Sequence, residues 1–347
     1  MFVEGWPRPT ALRYHDRMLR QATCRCGRLG ILIAALWAAT VRAASVQSQT
    51  IEVDGQSREY LLASSTTAHG APSPLVLVLH GHLGTAKNAL GDGVRPSPLS
   101  AWLDIVDREH LLVVALQGLK GPDGHTGWHD CRTDAPENPH VNDVAFASAV
   151  VRELVATGRV DVHRVYVMGM SNGAMMSYRL ALEMQPTPAA IAAASGTIAV
   201  HSDCREPAVP VSVLIIHGTD DPLVPYAGGA VGFGGRSPRG EIMGAEATRD
   251  YWLRVDGLQH TTPVSVAFAH LGADRTQASK VTYGADSGPQ VELLTIEHGG
   301  HVEPSLRFHY GALYGKLVGP QNHDLESAEE AWSFFAPKYR AGLDLME

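Results

Sequence analysis

Three short stretches of this 347-residue chain carry a serine, a carboxylate and a histidine in the order and setting that nucleophilic hydrolysis requires. Ser171 stands in Gly169-Met170-Ser171-Asn172-Gly173, after the apolar run Val165–Met168 and before a helical pattern. In that strand–turn–helix setting G-x-S-x-G reads as a nucleophile elbow, whose sharp turn exposes the hydroxyl while the glycines let neighbouring backbone pass. A serine hydroxyl is a weak nucleophile at neutral pH and needs a general base within hydrogen-bond reach. His217-Gly218-Thr219-Asp220-Asp221-Pro222 offers the acid just past another buried run. Asp221 is the expected member: Asp220 lies nearer the strand end and reads as a turn-former bonding its own backbone, and Pro222 fixes the turn after Asp221. Glu297-His298-Gly299-Gly300-His301 offers two bases. His301, deeper in the loop and reached through glycines, is favoured to swing toward Ser171, with His298 structural. His301 would take the Ser171 proton and pass it to the leaving group, while Asp221 holds the tautomer and stabilises the imidazolium.

A tetrahedral intermediate also needs donors for its oxyanion. The backbone N–H of Asn172, after the nucleophile, is one expected donor; that of His82, in His80-Gly81-His82-Leu83-Gly84, is the other. Trp128 and Tyr226 are candidates to line a substrate pocket, with core positions as the alternative. The 17 histidines and the HGH and HGGH clusters invite a zinc reading. Zinc needs three or four ligands with supporting contacts, however, and neither HExxH nor a spaced Cys/His set occurs, so no metal and no cofactor is expected.

These motifs must be held by regular elements. Leu75–Leu79, Leu111–Leu116, Val165–Met168 and Val211–Ile216 are uninterrupted apolar runs, which suit strands buried on both faces of a parallel sheet, and Val291–Ile296 is a fifth strand. Ile51-Glu52-Val53 and Arg58–Leu62 flank Asp54-Gly55 as an antiparallel hairpin. Helical patterns occupy 98–109, 143–157, 173–184, 244–255 and 325–336. Alternating strands and helices predict an α/β fold, a mostly parallel central sheet with helices on both faces. The Gly-rich 227–240 and the segment 302–324 resist regular structure, and each borders a motif at the carboxyl end of a strand, where such sheets build their sites.

The net charge of −8, with 36 acidic against 28 basic residues, lacks a general footprint for nucleic acid. Leu29 to Thr40 is apolar for about a dozen residues, short of the ~20 of a membrane span. Preceded by Arg20, Arg25 and Arg28 and followed by small residues at 43–45, it reads as a secretory signal peptide, so residues 1–44 are expected to be an N-terminal extension and leader. The long charged region suggests that translation starts at Met18. Cleavage after Ala43 or Ala44 removes Cys24 and Cys26, leaving a secreted or periplasmic protein, no stable membrane span and one catalytic domain over 45–347. The remaining Cys131 and Cys204 most simply form one disulfide, worth ~4 kcal/mol in the chain-entropy model, with two buried thiols as the alternative.

Taken together, these stretches resemble the secreted esterases grouped as the polyhydroxybutyrate depolymerase and feruloyl esterase family (LpqC-like) of the α/β-hydrolase superfamily. The matching residues are Leu79-His80-Gly81, Gly127-Trp128-His129-Asp130-Cys131-Arg132, Asn142–Phe146, the GMSNGAMMSYRLA stretch from Gly169, HGTDDPLVPY from His217, GGH from Gly299 and AWSFFA from Ala331. The resemblance carries the catalytic roles onto Ser171, Asp221 and His301. It implies a serine esterase working through an acyl-enzyme on hydroxyalkanoate oligomers or polymer, or on feruloyl or acetyl esters of polysaccharide. Where the family tends to have Trp-Pro after its histidine, this chain has Val302-Glu303-Pro304, which places the Glu303 carboxyl near the acyl or leaving-group pocket. The family's cysteine pair is also missing at 256–258 and 283–286. The expected partner is thus an ester, small or polymeric. A serine peptidase of the same fold and a non-catalytic binding protein are the alternatives, and the oligomeric state is left open.

Overall fold

The computed structural model describes residues 44–341 apart from 67–69, 92, 94–95, 208 and 234–238. The expected leader up to residue 43, with Met18, Cys24 and Cys26, lies outside the described residues.

Strands β1 (Ser45–Val53) and β2 (Gln56–Ser64) pair antiparallel around Asp54 and Gly55, whose φ angles are +51° and +75°. An Asp-Gly pair at positive φ matches the twist of the flanking strands, so the hairpin forms where the sequence marks it. Then come β3 (Ser73–Leu79), the short helix α1 (Ala86–Ala89), α2 (Trp102–Glu109) and β4 (Leu112–Leu116). A small ribbon of β5 (Leu119–Lys120) and β6 (Thr126–Gly127) precedes α3 (Asp143–Ala156), β7 (Val160–Met170), α4 (Asn172–Glu183) and β8 (Ala190–Ala194). After β9 (Ser212–Gly218) a second ribbon, β10 (Gly228–Ala230) and β11 (Glu241–Met243), leads into α5 (Ala245–Val255). A hairpin of β12 (Val264–Ala267) and β13 (Gln277–Gly284), then β14 (Gln290–Glu297), α6 (Ala312–Val318) and α7 (Ser327–Phe335), complete the order.

Ten of the strands make one sheet, in the order β1-β2-β4-β3-β7-β8-β9-β14-β13-β12. Pairings from β4 through β14 are parallel, and an antiparallel hairpin closes each side. Side chains alternate across a strand, so Leu75, Leu77 and Leu79 pack with α3, α4 and α5, whereas Val76 and Val78 face α2 and α7. Both faces are therefore covered, which is why these strands read as continuous apolar runs. The expected fold class and five main helices are present. The strand β8, with its sequence AIAAA, carries no strand signal of its own: alanine is the best helix former, and only the neighbouring strands make this segment extended. The hairpin of β12 and β13 was likewise not expected. The helix α6 lies inside the segment expected to be irregular, and β10 inside the Gly-rich one. No helix among the described residues is long and apolar enough to cross a membrane.

Candidate active site

Ser171 occupies the single residue between β7 and α4, at φ +56° and ψ −121°. A non-glycine residue rarely adopts positive φ, and strain of about 1–3 kcal/mol persists only where the surroundings enforce it. Here the Ser171 N–H donates to the Ala194 carbonyl at 2.8 Å, tying the turn to β8. Neither flanking glycine tolerates a side chain. A Cβ on Gly169 would stand 2.1 Å from the Gly173 carbonyl oxygen, and one on Gly173 would stand 2.4 Å from that of Leu79. The motif is thus a packing requirement of the crossing between β7, α4 and β3.

The expected base and acid, His301 and Asp221, follow the ends of β14 and β9. His301 Nε2 is 2.9 Å from Ser171 Oγ, and its Nδ1 is 2.8 Å from Asp221 Oδ2. With Nδ1 donating to the carboxylate, Nε2 of a neutral imidazole is an acceptor for the serine O–H. The other Asp221 oxygen accepts the backbone N–H groups of Leu223 and Val224 at 2.9 and 2.8 Å. Burial alone would raise the Asp221 carboxyl, but His301 and these hydrogen bonds outweigh it and hold the group below the usual range. Asp221 is therefore a carboxylate at neutral pH. Behind it His217 donates from Nε2 to the Val224 carbonyl at 2.8 Å, with that nitrogen 3.6 Å from Asp221 Oδ2. Burial pushes His217 down and keeps it neutral. Asp220 and His298, the residues set aside in favour of Asp221 and His301, meet at 3.4 Å on the surface, where Arg275 also reaches Asp220.

The loop after β3 is braced from three sides. His80 donates from Nδ1 to the Gly81 carbonyl at 2.8 Å and accepts the Gly118 N–H on Nε2 at 3.0 Å; burial lowers its pKa to about 4, outweighing the upward effect of the Gly81 hydrogen bond. The Trp128 indole donates to the His80 carbonyl at 2.7 Å. A Cβ on Gly81 would lie 3.3 Å from Ser171 Cβ, so this loop passes directly beside Ser171. The N–H of Asn172 opens α4, where helices leave donors without intrahelical acceptors. The N–H of His82 meets no backbone acceptor among the described residues.

Two pocket expectations need correction. Trp128 is fully buried and Glu303 is 1% exposed, so neither presents a surface to a substrate. The indole of Trp128 is engaged in holding the His80 loop. Tyr226 is half-buried, bonded to Thr295 at 3.1 Å and packed edge-on against His217, so it braces the acid loop. The sequence reading also missed a group of supports. The Asn172 side chain accepts the Trp128 N–H at 2.7 Å and donates to Asp130 at 2.7 Å; Asp130 in turn pairs with Arg132 at 2.6 Å in a dry setting. Opposite charges two residues apart inside GWHDCR were the available signal. Cys131, between them, is bridged to Cys204. Among the described residues no three His, Cys, Asp or Glu side chains gather as metal ligands.

The profile of the phospholipase/carboxylesterase family matches residues 67–231. NocK of Nocardia uniformis subsp. tsuyamanensis, a protein classed as an esterase, is 32% identical over 301 residues, covering 84% of this chain and 83% of that one. Feruloyl esterase B of Piromyces equi is 28% identical over 228 residues, covering 63% of this chain and 36% of its own. Among solved structures, acetyl xylan esterase from Aspergillus awamori superposes with a TM-score of 0.50 at 13% identity, over 84% of this chain and 99% of that one, a likeness of fold.

Proposed function

The chain belongs to the α/β-hydrolase esterase family, and from that premise we propose that it is an exported serine ester hydrolase using Ser171, His301 and Asp221. The observation that carries the reading is the unbroken line from Ser171 Oγ through both nitrogens of His301 to a buried Asp221 carboxylate. Ser171 attacks the ester carbonyl as His301 takes its proton, and Asp221 stabilises the imidazolium without itself becoming protonated. The backbone N–H groups of Asn172 and His82 receive the oxyanion; one such donor is typically worth ~3–4 kcal/mol. Collapse expels the alcohol, protonated by His301, and leaves an acyl-Ser171 ester. Water, deprotonated by His301, then releases the acid.

Feruloyl or acetyl esters of polysaccharide are the favoured substrates, a reading supported by a feruloyl esterase among the relatives and an acetyl xylan esterase among the fold neighbours. Hydroxyalkanoate oligomers are the second class, carried by the sequence resemblance. The disulfide supports an exported location, and residues 45–347 are read as one catalytic domain. Hydrolysis of methyl ferulate, acetylated xylan, hydroxybutyrate oligomers and p-nitrophenyl esters of rising chain length tests the assignment. Ser171→Ala should abolish turnover of whichever ester is cleaved while the circular dichroism spectrum is kept. Survival of activity in that variant refutes the mechanism.

A further inference from the structure

The turn after β3 is tied to the small ribbon of β5 and β6. The Gly84 N–H donates to the Gly81 carbonyl at 2.9 Å, closing a turn whose third residue, Leu83, has a φ of +70°. A type II turn reserves that position for glycine, so a leucine there is strained and persists only where its surroundings enforce it. Two restraints come from β6. The Leu83 N–H donates to the Thr126 carbonyl at 2.9 Å, and Thr126 Oγ1 donates to the Gly84 carbonyl at 2.6 Å. His82, the second residue of the turn, has neither its N–H nor its carbonyl bonded to backbone among the described residues. Its side chain ties it down instead.

His82 Nε2 lies 3.0 Å from Asp123 Oδ2, and the two side chains are only 10% and 21% exposed. Two bare acceptors would repel at that distance, so Nε2 carries a proton, in the neutral ring as in the cation. Asp123 is itself fixed, because its other oxygen accepts the His125 N–H at 2.9 Å. The ribbon tip closes around it: the Gly121 N–H donates to the His125 carbonyl at 2.8 Å and the Gly124 N–H to the Gly121 carbonyl at 2.9 Å. The His125 ring meets the His82 ring edge-on, 5.8 Å between centroids. A Cβ on Gly127 would stand 3.3 Å from His82 Nδ1 and 3.0 Å from Asn172 Oδ1. One glycine of β6 thus lies against both residues whose N–H groups are assigned to the oxyanion. Exposed pairs contribute little, but here both partners are mostly buried and each is anchored at a second point.

We propose that Asp123 is a positioning residue of the ester hydrolysis, gripping the His82 ring so that the His82 backbone N–H stays aimed at the oxyanion. The inference rests on the assignment of that N–H under the proposed function. Asp123 takes and gives no proton, and it acts only through His82. A donor has to meet the oxyanion at about 2.7–3.1 Å, so a turn that drifts forfeits most of its worth. The strained Leu83 gives this turn a reason to drift.

The test is a double-mutant cycle over Asp123→Ala and His82→Ala, read by p-nitrophenyl acetate kinetics and by inhibition with phenyl trifluoromethyl ketone. Ser171 Oγ bonds the carbonyl carbon of that ketone while His301 takes the serine proton, and the carbonyl oxygen becomes an oxyanion facing the same two donors. Each single variant should lower kcat by about tenfold, keep KM within about twofold and weaken the ketone by about tenfold, since the donor is used by the tetrahedral adduct and not by bound ester. The double variant should lose no more than about twofold beyond the worse single, because both changes remove one contact. Asp123→Asn, left with one oxygen for two partners, should fall between wild type and Asp123→Ala. A merely structural Asp123 would lower Tm and leave ketone affinity in place. That result overturns the proposal, and so do losses that multiply in the double variant. If Asp123→Ala does not fold, Asp123→Asn is read in the same way, and an unmoved ketone affinity overturns the proposal equally. Ser171→Ala run in parallel separates the two readings: an inactive Ser171→Ala beside an unchanged Asp123→Ala removes only the role of Asp123, whereas an active Ser171→Ala removes both.

Discussion

Two Asp–His pairs join the same two loops, Asp220 with His298 and Asp221 with His301, and they differ in nearly everything except residue type. The outer pair is exposed, its atoms 3.4 Å apart, and Arg275 shares the carboxylate. The inner pair is buried at 2.8 Å, with two backbone amides on the free carboxylate oxygen and the serine on the far ring nitrogen. Solvent screens the outer charges and leaves the inner ones almost undiluted. Burial and pre-placed donors thus separate the proposed acid–base pair from a surface ion pair.

That contrast fixes the order of mutational effects. Asp221→Asn should cut kcat by about 10³–10⁴-fold, since an amide cannot hold the tautomer that makes Nε2 the acceptor. Steady-state kinetics on a p-nitrophenyl ester checks this, and a loss under tenfold would erase the distinction between the pairs. The next largest effect is on stability. Asp130 is buried with Arg132, whose guanidinium and the Asn172 amide hold its carboxyl low against the upward pull of burial. Removing Arg132 as Arg132→Met strands that charge and should cost about 3–5 kcal/mol, read from a urea melt.

Glu303→Gln carries the opposite sign of pH dependence. Because the folded-state carboxyl is raised from 4.5 to about 7, folding takes up a proton in that window, and stability is lost as pH rises through it. The amide removes that loss, so the variant should gain about 2 kcal/mol over wild type at pH 8 and little at pH 4.5, measured as the Tm difference. Smallest of all, Asp220→Asn and His298→Ala should each leave kcat/KM within about twofold and stability within about 1 kcal/mol.

Much of this was legible in the sequence because local chemistry and tertiary placement agree there. The glycines around Ser171, the Asp-Gly turn and the apolar strand runs each have one conformation that suits them, and the structure adopts it. The choice of Asp221 over Asp220 rested on turn geometry, and the buried side of that turn is where the carboxylate lies. What stayed hidden depends on long-range contact. The strand β8 is extended only because β7 and β9 flank it. Trp128 stayed open between pocket and core and Glu303 read as a pocket residue because a motif position says nothing of depth, and the Asn172–Asp130–Arg132 support joins segments 42 residues apart.

The central claim is that Ser171 is the nucleophile that His301 activates. Intact-mass and peptide-level analysis after treatment with a fluorophosphonate tests it most directly. The account predicts one adduct per chain, on the peptide containing Ser171, absent in Ser171→Ala and formed at least about a hundredfold more slowly in His301→Ala. An adduct on another residue, or labelling undiminished in Ser171→Ala, would contradict it.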